Sequence, residues 1–244
     1  MAAPVRKGVA ALLIVAVLFG TAALLLTYMV GKRLSGGRTV QDVMERFGPE
    51  AEATWRERCS RAGVAYPPQE LVLAAFKHEM TLEVWGASDG KKPVLLTEYP
   101  VLAASGGPGP KLREGDRQIP EGVYRISDLN PNSRYHLSMK IDYPNEEDVR
   151  IAESEGRTNL GGDIFIHGAA VSVGCLAIGN DAVQELFVLV AAVGIENVKV
   201  LISPNDLRRE PPVRPAGVPG WMAGRYRALE RELKALGSGK AALR

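Results

Sequence analysis

The chain has 244 residues, 30 Lys+Arg against 28 Asp+Glu, and a mean hydropathy of −0.04, which suits one sizeable domain with appendages. Residues 1–40 carry five basic and no acidic residues, residues 208–244 nine and three, and residues 41–207 16 basic against 25 acidic. An acidic central domain with basic ends excludes nucleic acid as the main partner, which needs a basic patch on the folded part.

Val9 to Val30 is a run of 22 uncharged residues, bracketed by Arg6-Lys7 and Lys32-Arg33. That is enough for a helix to cross a bilayer. The apolar run continues through Leu24 to Val30, past the small residues Thr21-Ala22-Ala23. The reading is therefore an uncleaved single-pass anchor and not a signal peptide. Ser35 to Arg38 reads as a short linker.

Val40, Val43, Met44 and Phe47 recur at helical spacing. Gly48 is expected to close that helix and Pro49 to open another, which Gly63 would cap. Trp55 and Cys59 share a face of the second helix, so Cys59 is read as a packed residue. Strands are expected in LVLAAF from Leu71, in TLEVW from Thr81 and from Pro93 to Ser105, with a hairpin turn at Asp89-Gly90. Gly106 to Pro110 is loop by composition. Gly122 to Ile126, His136 to Ile141 and Asp163 to His167 are further short strands, and 145–155 is an exposed helix. Val183, Leu186, Phe187 and Val190 stripe a helix, with Asp181 and Gln184 at capping-box spacing. Asn197 to Ser203 is the last strand. A proline-rich stretch over 210–220 leads to a basic helix striped by Met222, Tyr226, Leu229, Leu233 and Leu236. The order lacks regular βαβ alternation, so the fold class is α+β, with a mostly antiparallel β-rich domain and flanking helices.

The segment IFIHGAAVSVGCLAIGND places His167 and Cys175 eight residues apart, each beside a glycine. A free thiol, with a pKa near ~8.5, is mostly protonated at neutral pH, and a histidine in contact can take its proton. N–H groups around Gly174 and Cys175 could hold an oxyanion. Three plainer readings stay open: a hydrogen-bonded structural histidine, a tightly packed Gly-Cys, and a Cys59–Cys175 disulfide. No CxxC or HExxH occurs and the three histidines are scattered, so no metal or other cofactor is expected. GxSxG and the phosphate-loop pattern are also absent.

The run His167 to Cys175, H-G-x-x-x-S-x-G-C, resembles the active-site signature of the L,D-transpeptidase (YkuD-like) family, and most of all its YafK-like branch. Asp116 to Tyr124 is similar to the family's D-x-x-T-P-x-G-x-Y segment, with Ile119 where Thr is common. Asn130 to Ser138 with Asp142 to Asn145 resembles a strand and turn of that branch, and Lys77 with Leu82 to Trp85 its first hairpin. Val173 stands where many members carry a second histidine. Domain limits are read as 1–8 for a cytoplasmic N-terminus, 9–30 for the anchor, 31–64 for a linker and helical segment and 208–244 for a proline-rich linker with the basic helix; the catalytic domain, 65–207, is what the resemblance implies. It implies a cell-wall acyltransferase, with a role in wall biogenesis and cell shape, at the inner membrane and facing the periplasm. Cys175 would be the nucleophile on a peptidoglycan stem peptide and His167 its base and acid. Gly174 would contribute an oxyanion N–H and Ser172 would orient the loop. Gly168 and His136 would lie at the substrate, His136 being equally an ordinary packing histidine. The alternatives are a thiol hydrolase that releases a wall-linked lipoprotein or peptide, and a non-enzymatic wall-binding domain.

Overall fold

The computed structural model describes residues 36–88, 90–214 and 216–237. The anchor expected over 9–30 lies outside them. Among the described residues no helix is long and apolar enough to cross a membrane.

Helix α1 (Val40–Ala62) opens on a capping box, in which Thr39 and Asp42 each accept the other's N–H, and closes on Gly63. Two helices broken at Gly48-Pro49 were expected, and one continuous helix is found. Proline already has a helical φ, so the helix loses a backbone donor and takes up a local clash there. The buried stripe Val43, Ala51, Trp55 and Cys59 continues on both sides of it, and that packing offsets the cost.

Eight strands follow: β1 (Glu70–Phe76), β2 (Thr81–Ala87), β3 (Val94–Pro100), β4 (Gly122–Asn130), β5 (Ser138–Ile141), β6 (Phe165–His167), β7 (Leu176–Ala177) and β8 (Val198–Ser203). Their order across the sheet is β3-β2-β1-β8-β4-β5-β6-β7. Neighbours run antiparallel except β1 with β8 and β6 with β7, so the expected α+β class and its mostly antiparallel sheet are found. Of the hairpin turn expected at 89–90, Asp89 lies outside the described residues. Helices α2 (Glu146–Ser154), α3 (Asn180–Val193) and α4 (Met222–Leu236) complete the described elements, with a 3-10 turn at Ile195–Asn197.

The sheet is covered on both faces, and β1 shows why its sequence is apolar throughout. Leu71, Leu73 and Ala75 join the core under α1 and α3, while Val72, Ala74 and Phe76 join a second cluster under α4, as the period of two requires. The C-terminal helix thus packs on the domain through Met222, Tyr226, Leu229, Leu233 and Leu236. The Trp55 indole N–H donates to the Glu185 carbonyl at 2.8 Å, tying α1 to α3. The capping box expected at Asp181 and Gln184 is not formed. Gly179 precedes α3 with no side-chain cap. The Asn180 side chain accepts from the Ala169 N–H at 2.8 Å instead, and Gln184 turns to His136.

Candidate active site

His167 is the last residue of β6 and pairs with Ala177 across the parallel β6–β7 contact. Cys175 lies two residues before Ala177, so strand alternation puts it on the same side as His167. Both side chains line one pocket of about 220 Å³, together with Asn130, Asn132, Ser133, Arg134, Tyr135, Ser138 and Phe165. The Tyr135 ring stacks on the imidazole with centroids 4.6 Å apart. His167, paired with Ser138 across β5–β6 and stacked by Tyr135, is 1% exposed, while Cys175 is half-buried.

The protonation states follow from the partners. Nδ1 of His167 lies 2.6 Å from the Gly168 carbonyl oxygen. A carbonyl only accepts, so Nδ1 carries the proton, and in the neutral ring Nε2 is the basic atom. Burial lowers the imidazole pKa, with the Gly168 bond opposing. Burial also raises the Cys175 pKa; the Phe165 N–H and Lys111 favour the thiolate, and Asp163 disfavours it. Both shifts favour a neutral thiol beside a neutral imidazole at rest, not a standing ion pair. The thiol donates to the Asp163 carbonyl at 3.7 Å. Among the described residues no hydrogen bond joins it to His167.

The loop between the two residues is held by side chains. Ser172 Oγ accepts the Cys175 N–H at 3.0 Å and donates to the Cys175 carbonyl at 2.6 Å. Gly174 sits at φ +83°, where a side chain is strained. Its N–H, expected to face a substrate oxyanion, donates at 2.5 Å to the hydroxyl of Ser105.

Two residues expected at the substrate, Gly168 and His136, are absent from the pocket lining. Gly168 is closed off: a Cβ there would lie 2.6 Å from the Tyr135 carbonyl oxygen and 2.7 Å from the Asn180 side-chain oxygen. Its part is to hold the imidazole through its carbonyl. The His136 backbone is left-handed (φ 78°), which turns the ring against Phe47 and to within 2.7 Å of the Gln184 amide. The neighbouring Tyr135 faces the pocket in its place. Both cysteines are free. Cys59 is buried in α1, and burial raises its thiol to about 11. Among the described residues no cluster of side chains could hold a metal ion. Sequence reasoning missed Tyr135, Arg134, Asp163 and Ser105; only Tyr135, as an aromatic beside a candidate histidine, carried a readable signal.

Residues 76–202, from the end of β1 to β8, match the family model of the L,D-transpeptidase catalytic domain (YkuD). The chain belongs to this family. Both His167 and Cys175 fall inside the matched L,D-transpeptidase segment. The chain is 38% identical over 137 residues to YafK of Escherichia coli (strain K12), covering 54% of this chain and 53% of that protein. It therefore spans about half the length of the curated relatives it matches. Among solved structures, the helical cell shape determining protein Pgp2 of Campylobacter jejuni aligns with TM-score 0.46 and 25% identity over 59% of this chain and 50% of that one. Mycobacterium tuberculosis L,D-transpeptidase 1 aligns with TM-score 0.32 and 17% identity, over 55% of this chain and 61% of that one.

Proposed function

We propose that this domain is a cysteine acyltransferase acting on peptidoglycan stem peptides. One observation carries the chemistry: Gly168 fixes the imidazole tautomer that leaves Nε2 free to act as a base, in the same pocket as the Cys175 thiol. On substrate binding the thiol leaves the Asp163 carbonyl by rotation about χ1. Its proton passes to His167 Nε2 as sulfur attacks the carbonyl carbon. The resulting oxyanion forms beside the 173–175 turn, where a backbone donor is worth roughly 3 kcal/mol in the transition state. The Cys175 N–H reaches it by releasing Ser172 Oγ. Collapse breaks the C–N bond, and His167 returns the proton to the leaving amine. An acceptor amine then attacks the thioester, gives its proton to Nε2 and regenerates the thiol. The apolar run 9–30 supports an anchored enzyme at the inner membrane with this domain in the periplasm.

The test is intact-mass analysis after incubation with a defined tetrapeptide muropeptide. An acyl adduct on Cys175 that disappears in Cys175→Ala is expected. An adduct that persists in Cys175→Ala excludes this nucleophile, and no adduct or product in the wild type excludes the substrate class. Product identity separates the acceptors: a new crosslink marks transfer to an amine, and a trimmed stem or a released peptide marks transfer to water. An unchanged cellular phenotype with Cys175→Ala would leave a binding domain.

A further inference from the structure

The loop between β3 and β4 is long, irregular and rich in glycine, the composition of a mobile connection. Its hydrogen bonds show the opposite. Leu102 N–H donates to the Ala177 carbonyl at 2.7 Å, and Ala177 N–H to the Ala103 carbonyl at 3.0 Å. This lays the start of the loop along β7 and brings Ser105 opposite the nucleophile turn. The Ser105 hydroxyl then makes two bonds. It accepts the Gly174 N–H at 2.5 Å and donates to the Arg117 carbonyl at 2.7 Å. The Gln118 amide donates to the Gly106 carbonyl at 3.0 Å, closing the loop on itself behind Ser105.

The far end of this loop is fixed by buried charge. Lys77 Nζ lies 3.1 Å from Glu121 Oε1, with side chains 1% and 0% exposed. Lys77 also donates to the Gly109 and Ile119 carbonyls, both at 2.9 Å. Glu121 accepts the Gly109 N–H at 2.6 Å and the Tyr226 hydroxyl of α4 at 2.8 Å. A buried pair that is this fully hydrogen-bonded holds its surroundings in one arrangement. The loop is thus clamped at Gly109, Ile119 and Glu121, and its first part presents the Ser105 hydroxyl to Gly174.

We propose that Ser105 is a positioning residue for the nucleophile, its hydroxyl pinning the Gly174 N–H and so holding Cys175 at the pocket wall. The proposal rests on the acyltransferase reading for its kinetic part. It commits the Gly174 N–H to the strut, leaving oxyanion binding to other donors. It also gives the C-terminal helix a task, since Tyr226 is the outermost link in the chain of contacts from α4 to Cys175.

The test compares wild type, Ser105→Ala and Ser105→Thr on the tetrapeptide muropeptide, with iodoacetamide labelling of both cysteines read by mass mapping. In Ser105→Ala, kcat is expected to fall by about tenfold with KM little changed, as for a small misplacement of a reacting group. Cys175 labelling is expected to accelerate several-fold as the turn loosens and the thiol gains solvent, while buried Cys59 stays protected. Threonine, which keeps the hydroxyl, restores both. Wild-type kcat and wild-type Cys175 labelling in Ser105→Ala would overturn the proposal. A raised kcat/KM would overturn it too, because the hydroxyl would then be competing for an oxyanion donor. If the wild type leaves the muropeptide unchanged, the acyltransferase reading fails, and the ratio of Cys175 to Cys59 labelling alone decides the role of Ser105.

Discussion

Replacing Gly168 with alanine tests how the proposed base, His167, is aimed. The new Cβ would stand 2.6 Å from the Tyr135 carbonyl oxygen, 2.7 Å from Asn180 Oδ1 and 3.1 Å from Val183 Cγ1. An ordinary carbon–oxygen contact is about 3.4 Å, so roughly 0.8 Å of relief is needed. Tyr135 presents backbone there, and Asn180 is held by the Ala169 N–H, so Gly168 itself must shift. Gly168 does not lie in the left-handed region, so the cost is overpacking, about 1–3 kcal/mol. The shift also moves the carbonyl that fixes Nδ1. A displacement of this size at a reacting group lowers turnover by about 10²-fold. Urea unfolding gives the first quantity and muropeptide turnover the second. Gly156→Ala is the control. It has φ +67° and nothing within 4 Å of the added carbon, so it loses about 1–2 kcal/mol for the left-handed backbone alone and keeps full turnover. Wild-type stability and turnover in Gly168→Ala would refute the reasoning.

Further outcomes are expected. The acid limb of the kcat/KM profile lies below the ordinary imidazole value of about 6.5, because burial lowers the His167 pKa and the base must be neutral. In the free enzyme, Cys175 alkylation rises only above the usual thiol range; a midpoint below about 7 would mean a standing thiolate–imidazolium pair. The lowered His167 pKa makes this residue cost stability on acidification: the unfolded chain takes up the proton first, so stability falls as pH drops through about 6.5, visible in urea midpoints at stepped pH after comparison with His167→Gln. Lys77→Met leaves the buried Glu121 carboxylate without its cation and is expected to lose about 3–5 kcal/mol, part of which Lys77→Met/Glu121→Gln recovers. Leu229→Ala, which removes a fully buried side chain of α4 from the cluster against the sheet, is expected to cost about 2–5 kcal/mol in the same assay.

The sequence made the sheet and the helices readable where one periodicity dominates. β1 and α3 are apolar at the right spacing and little competes with it. The Pro49 break was misread because local chemistry pointed one way and a tertiary stripe, Val43 to Cys59, pointed the other. That His167 and Cys175 would share one pocket was legible from their spacing and from the motif around them. The pocket wall was less so. Whether His136 or Tyr135 enters the pocket depends on one left-handed residue, and alternation along a regular strand gives the wrong answer there. Ser105 carried no signal, because its meaning comes from Gly174, 69 residues away.

The placement of β8 has a consequence for biogenesis. The last of the described strands lies in the middle of the sheet, between β1 and β4, and pairs Leu71 with Val198. A nascent or truncated chain ending before Val198 holds two half-sheets, β3-β2-β1 and β4-β5-β6-β7, with open edges facing each other and nothing between them. Contacts this distant in sequence form late and slowly. His167 and Cys175 lie in the second half-sheet, whose β4 edge stays open until β8 is made, so premature termination before Val198 yields fragments with exposed, aggregation-prone strand edges.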